Sequence, residues 1–441
     1  MPIDHFSSVD NRTFRLRYLI NTDYWDATNS GPIFLYTGNE LRIESFANNS
    51  GFMWDLAPEY NAMLVFIEHR YYGKSLPFAE QTNANLANLG HLSSTQALAD
   101  FAQLVTWLKA NTTGAASSPV VAMGGSYGAM LAAWMRLKYP HVVVGAYSSS
   151  GPVWQFQGLA PCYSYAATTT KTFARSGPDC DKYIASSWAA LRRLAETEQG
   201  RHYLNNLFQL CPTAKLSRAD HATTLIDLAG AAFGNLAMFN YPYPTVFVKP
   251  MPKYPVQVAC QCFNAASNSS DEQLVAGLQC ASNTYYNYTG TLKCFSDKAN
   301  SDDWGAWPFQ TCTDQLLPNC QAGGDIDMFE PRPFVMSEYS DNCFRQFGVR
   351  PRPQWPVINY GGKHLQWATN IIFANGDMDP WSGGGVTAAY PGMDASVHVI
   401  FIQNAAHHLD LRAENALDPM PVRIARQAIR RILRQWVQYK F

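Results

Sequence analysis

The sequence predicts an α/β protein built on a largely parallel sheet and split by one large insertion. Three observations lead there. Short apolar runs recur along the chain, helical patterns lie between them, and all ten cysteines fall between Cys162 and Cys343. The cysteine-free flanks carry the runs, so the flanks form one α/β unit and the middle is inserted into it.

Each run is short, apolar on both faces, and ends in glycine or polar residues, which suits central parallel strands. Ile33–Thr37 stops at Gly38, and Met63–Ile67 stops at Glu68-His69-Arg70. Val120–Met123 stops at Gly124-Gly125, and Val142–Ala146 runs into three serines. Beyond the cysteines come Asn370–Ala374 and His398–Ile402. Between runs, Thr95–Asn111 sets Leu98, Phe101, Ala102, Val105 and Leu108 at helical spacing. Pro421–Tyr439 opens with proline and places Ile424, Ala428, Ile432 and Val437 on roughly one side, with the arginines largely elsewhere.

Three segments are therefore expected: 1–151, the first part of the α/β domain; 152–353, the insertion; and 354–441, the second part. Within the insertion, Tyr183–Gly200 and Ser217–Phe233 read as helices, the second opening on a Ser217-x-x-Asp220 capping box. An even cysteine count confined to one block, with no paired CxxC, reads as up to five disulfides in a secreted or lumenal protein. Buried free thiols in a cytosolic enzyme are the alternative. Sequons at Asn11, Asn48, Asn111, Asn268 and Asn287 agree with a secretory route. Residues 1–5 are polar and show no leader, so a leader is expected either to have been removed or never to have existed.

Composition excludes several classes. The 441 residues include 33 basic and 34 acidic side chains, 47 % are hydrophobic, and charged residues make up only 15 %, against about 25 % in an average soluble protein. That is neither a disordered chain nor a polybasic nucleic-acid binder. The uncharged stretches 110–135 and 139–170 are interrupted by glycine, proline and serine, so neither is read as a membrane span.

The chemistry centres on Gly124-Gly125-Ser126-Tyr127-Gly128, a G-x-S-x-G between a strand-like and a helix-like run. Small flanking residues permit the tight turn that projects Ser126, and the backbone N–H of Tyr127 becomes one oxyanion donor. A serine hydroxyl needs a base and an orienting acid, expected after later strands in the order Ser, Asp/Glu, His. Asn370–Ala374 leads to Asp377 and Asp379, and His398–Ile402 leads to His407 and His408. Asp377 beside Gly376 reads as a turn residue, whereas Asp379, ahead of Pro380 and Trp381, is the better buried acid. Spacing alone does not separate His407 from His408. His69 and His364 read as structural, and His407-His408-x-Asp410 lacks the i, i+4 histidine pair of a zinc protease.

The chain resembles the prolyl carboxypeptidase and dipeptidyl peptidase II family of serine peptidases. The resemblance rests on Tyr36–Glu40, Glu68–Phe78, Gly124–Gly128, Asn375–Gly385 and Ala406–Arg412, with Leu41 and Ala129 where the family commonly has glycine. It implies an α/β-hydrolase fold with a large, mainly helical, disulfide-bonded cap. It further implies Ser126 as nucleophile, Asp379 as acid and His407 as base, with the second oxyanion donor in the Gly38–Glu40 loop. Asp327–Pro331 and Asp341–Pro353 look more like the carboxypeptidase branch. The resemblance also implies pairs Cys162–Cys320, Cys180–Cys260, Cys211–Cys294 and Cys312–Cys343, leaving Cys262 and Cys280 as a fifth.

The expected reaction is acyl transfer, in which the residue after a penultimate proline is released. Met130 and Trp381 are candidate walls for the proline, and protonated His408 is a candidate cation for the terminal carboxylate. Release of N-terminal Xaa-Pro dipeptides is the alternative; a lipase or esterase, or a non-catalytic binding module, are more distant ones. Expected partners are proline-containing peptides and, as an assembly, a homodimer, in a lysosomal or secreted setting. No cofactor, metal or nucleic acid is expected.

Overall fold

A computed structural model describes residues 1–82, 85–263, 270–296 and 305–438. Seven strands form one sheet: β1 (Tyr18–Asn21), β2 (Ile33–Thr37), β3 (Met63–Ile67), β4 (Val120–Gly125), β5 (Gly145–Ser149), β6 (Ile371–Gly376) and β7 (His398–Ile402). Their spatial order is β1-β3-β2-β4-β5-β6-β7. β1 runs antiparallel to β3, and every other pairing is parallel. Strands β2 to β6 are buried along their whole length because helices cover both faces. Successive residues feed opposite cores: Phe34, Leu64, Val121 and Met123 belong to one, Ile33, Val65, Val120 and Ala122 to the other.

The strands come from residues 18–149 and 371–402, and the block between them supplies none among the described residues. That block is helical, with Ser164–Ser176, Cys180–Glu196, Glu198–Leu207, Ala222–Met238, Asp271–Tyr286 and Met336–Phe347 as its longer helices. All ten cysteines are paired, in the five pairs implied by the resemblance, Cys262–Cys280 included. Cys180–Cys260 ties two helices across 80 positions. Replacing both of these cysteines by serine is expected to lower stability by about 2–5 kcal/mol, read from a denaturant melt with the other four bridges intact.

Several boundaries differ from those read in the sequence, each for a local reason. The fourth apolar run pairs over 145–149, not 142–146, because Val142 and Val143 donate to the Tyr139 carbonyl and close a turn. The strand then continues through serines, with Ser148 and Ser149 opposite Gly124 and Gly125. Thr197 breaks the expected 183–200 helix, and its hydroxyl caps the next helix through the Gly200 N–H at 3.0 Å. The Ser217–Asp220 box does not form: Arg218 takes the Asp220 carboxylate through two hydrogen bonds, and the helix starts at Ala222. A capping box exists instead at Ser270 and Gln273.

The last helix, Met420–Gln438, buries Val422, Ala425, Arg426, Ile429, Leu433 and Trp436, while the expected core residue Ile424 is exposed. Asn11, Asn48 and Asn111 are exposed and Asn287 is half-buried; Asn268 and Tyr439 lie outside the described residues. Among the described residues, no helix is long and apolar enough to cross a membrane.

Candidate active site

β4 ends in two glycines, and the chain turns at Ser126 with φ 59° and ψ −128° before the helix Tyr127–Lys138 begins. A positive φ at a residue bearing Cβ is strained, and it persists only when its surroundings fix it. Here Thr37 Oγ1 donates to the carbonyls of Gly128 (2.7 Å) and Met123 (3.1 Å), and Asn39 Nδ2 donates to the Gly125 carbonyl at 3.0 Å. The Ser126 N–H donates to the Ser149 carbonyl at 3.1 Å. A Cβ on Gly124 would stand 2.3 Å from the Gly128 carbonyl oxygen, and one on Gly128 would stand 2.6 Å from Asn39 Oδ1. Both glycines therefore permit a close approach that no other residue could make.

Tyr127 opens the helix, where the first N–H groups have no intrahelical acceptor. Its buried hydroxyl donates to His69 Nε2 (3.1 Å) and accepts from Gln310 Nε2 (2.6 Å). His69 Nδ1 faces the Arg70 carbonyl at 2.7 Å and must carry the hydrogen. Burial pushes this imidazole down to about 4. His69 is thus a neutral strut under the elbow, and His364 is an exposed surface residue.

Asp379 follows β6 and is fully buried. One of its oxygens accepts from the Trp381 N–H at 3.0 Å, the other from His407 Nδ1 at 2.9 Å. Asp377 points elsewhere and pairs with Arg175 of the insertion at 2.7 Å. With Nδ1–H given to a carboxylate, His407 keeps Nε2 as a base. Ser126 and His407 line the same cavity, together with Asn39, Glu40, Met238 and His408.

The histidine loop is held from two sides. Tyr241 of the insertion donates to the His407 carbonyl, and the His407 N–H donates to the Met238 carbonyl, both at 3.0 Å. From the sheet, Ser150 Oγ accepts the His408 N–H (2.8 Å), and Ser149 Oγ donates to Asp410 at 2.8 Å. Two of the three serines after the fourth apolar run, Ser149 and Ser150, thus seat the loop on the end of β5.

The remaining sequence candidates separate. His408 lines the cavity but is not the cation expected of it. Burial, then the neighbouring His407 and Arg412 charges, drive its pKa well below the ordinary imidazole range. Met130 is fully buried in the core beside β4 and is not on the cavity lining. Trp381 meets the cavity indirectly. Its indole Nε1 lies 3.3 Å from Met238 Sδ, and its ring stands edge-on to Tyr165 at 4.9 Å. Met238, Tyr241 and Phe247 are far in the chain from Ser126, Asp379 and His407, and no periodicity in the sequence links them to the site. Glu40 belongs to the Gly38–Glu40 loop expected to hold the second oxyanion donor, and no role was expected of its side chain. Its Oε2 is buried without a hydrogen-bond partner, and burial raises its carboxyl to about 7.

A serine at a strand-to-helix elbow, followed in the chain by an acid and a histidine past two later strands, is the order of an α/β-hydrolase. The class is that of the serine hydrolases. Residues 1–429 match the model of the serine carboxypeptidase S28 family. The chain belongs to this family. It is 47 % identical to the lysosomal Pro-X carboxypeptidase of Bos taurus over 99 % of its own length and 86 % of that protein. Identity to the Homo sapiens protein of the same name is 46 %, over 99 % of this chain and 87 % of that one. The thymus-specific serine protease of Homo sapiens is 27 % identical over 99 % of this chain and 85 % of its own.

Proposed function

We propose that this protein is a serine carboxypeptidase that releases the residue following a penultimate proline. The observation that carries the reading is the buried Asp379–His407 pair at 2.9 Å, opening on the cavity that also holds Ser126. The relatives' name, Pro-X carboxypeptidase, supports the substrate class. Ser126 attacks the prolyl carbonyl while His407 Nε2 accepts its proton and Asp379 holds the imidazole in that tautomer. The Tyr127 N–H, at the start of its helix, faces the developing oxyanion. His407 then returns the proton to the leaving amine, and water hydrolyses the acyl-enzyme by the same path.

Proline is compact and lacks an N–H, so it suits a dry wall of Met238, Phe239 and Phe247. We read the block 152–353 as a cap over the hydrolase parts 1–151 and 354–441. It supplies those walls, clamps the backbone of His407, and carries every disulfide. Five bridges fit an oxidising compartment, and the lysosome is the one the relatives' name gives.

Two substrates test the reading. The enzyme is expected to release the last residue from an N-terminally blocked peptide ending Pro-X. Survival of that peptide, with cleavage of a free Xaa-Pro-reporter, would make it a dipeptidyl peptidase instead. An intact protein that no fluorophosphonate labels at Ser126 would end the serine-hydrolase mechanism altogether.

A further inference from the structure

The cavity at Ser126 is apolar except for a few side chains, and three of its lining residues are ionisable: Glu40, His407 and His408. Neither lysine nor arginine lines it among the described residues. A peptide's terminal carboxylate entering there meets no cation, so a hydrogen-bond donor must receive it. His407 is committed to Asp379 and to proton transfer. His408 is held neutral by its burial, so it brings no charge and at most one ring N–H, its Nδ1 being without a partner.

That leaves Glu40. Its Oε2 is buried and unpartnered. Its carboxyl is near enough to His407 for a charge there to act on it. The position also follows from the reaction: His407 protonates the leaving amine, so the departing residue lies on the His407 side of Ser126. Its carboxylate is then about one residue, ~3.5 Å, beyond the scissile nitrogen.

We propose that protonated Glu40 donates its O–H to the terminal carboxylate of the departing residue and thereby selects peptides with a free C-terminus. The inference rests on the carboxypeptidase reading above and names the specificity residue within that site. Two carboxyl groups that share one proton form a strong pair, whereas two carboxylates repel. With its pKa raised to about 7 by burial, Glu40 is a donor in acid and loses that role as pH rises through neutrality. The other groups facing it do not replace it. Tyr36 on β2 and Tyr72 in the loop after β3 are both raised by burial and keep their protons. Asn39 is already bonded to Gly125 and Tyr36. His407 and His408 face it from the loop after β7.

The test compares KM from pH 5 to 8 for a blocked Pro-Phe acid and its C-terminal amide, using wild type, Glu40→Gln and Glu40→Ala. Fluorophosphonate labelling confirms an intact Ser126 in each. For the acid, wild-type KM is expected to rise at least tenfold across that range. Glu40→Gln, which donates an N–H at every pH, is expected to flatten the rise. Glu40→Ala is expected to raise KM for the acid at least tenfold at pH 5 and to spare the amide. A wild-type pH profile in Glu40→Gln, or equal effects of Glu40→Ala on acid and amide, would overturn the assignment while leaving the carboxypeptidase reading in place. If wild type labels but leaves the blocked acid uncut, both fall together.

Discussion

Replacing Ser126 by alanine is expected to lower kcat for a blocked Pro-X peptide by about 10⁶-fold, because the members of such a triad act as one unit. Asp379→Asn is expected to cost about 10⁴, since an amide stabilises the wrong tautomer of His407. Single-turnover assays on both variants, with circular dichroism as the folding check, measure this. A residual rate within tenfold of wild type in Ser126→Ala would remove Ser126 from the mechanism. The backbone adds a second readout. Ser126 holds φ 59° only because Thr37, Asn39 and Ser149 pin the turn around it. Ser126→Gly should relieve that strain, so thermal stability is expected to rise by about 1 kcal/mol while activity disappears.

Arg426→Met is expected to destabilise the protein by about 3–5 kcal/mol, the penalty for leaving one member of a buried charge pair alone. Arg426 is almost fully buried, and its guanidinium binds Asp418 (2.6 Å) and the carbonyls of Leu409 (2.8 Å), Asp410 (2.9 Å) and Arg412 (2.9 Å). Those carbonyls belong to the loop that begins at His407, so kcat should fall along with the unfolding free energy. Ile424→Ala, two positions away on the exposed side of the same helix, should change stability by less than about 0.5 kcal/mol. Urea melts of the two variants decide it: equal losses would mean that Arg426 does not hold the loop.

The same helix shows where pattern reading fails. Its arginines suggest a solvent face, and the apolar residues left over suggest Ile424, Ala428, Ile432 and Val437 as the core side. The buried face instead runs through Arg426, because the carbonyls and the carboxylate that satisfy a guanidinium lie on a loop 8 to 17 positions earlier. β1 was missed for a related reason. Tyr18–Asn21 is a short edge strand, only partly buried, with no alternation to mark it. The central strands were legible because burial on both faces removes polar residues from the run itself.

The sequence by itself determined the sheet, the elbow at Ser126, and the order of serine, aspartate and histidine. Each depends on local chemistry: apolar runs, glycines that allow close backbone approach, and loops just past strand ends. The residues themselves favoured Asp379 over Asp377; the choice of His407 over His408 and the cysteine pairs came only with the resemblance. Only the tertiary structure set the directions in which the Glu40 and His408 ionisations are pushed. Protonation is set by burial and neighbours, which a linear order does not contain. So His408, read as a cation, is driven neutral, and Glu40, expected only as part of the oxyanion-donor loop, becomes a carboxyl group that holds its proton in acid.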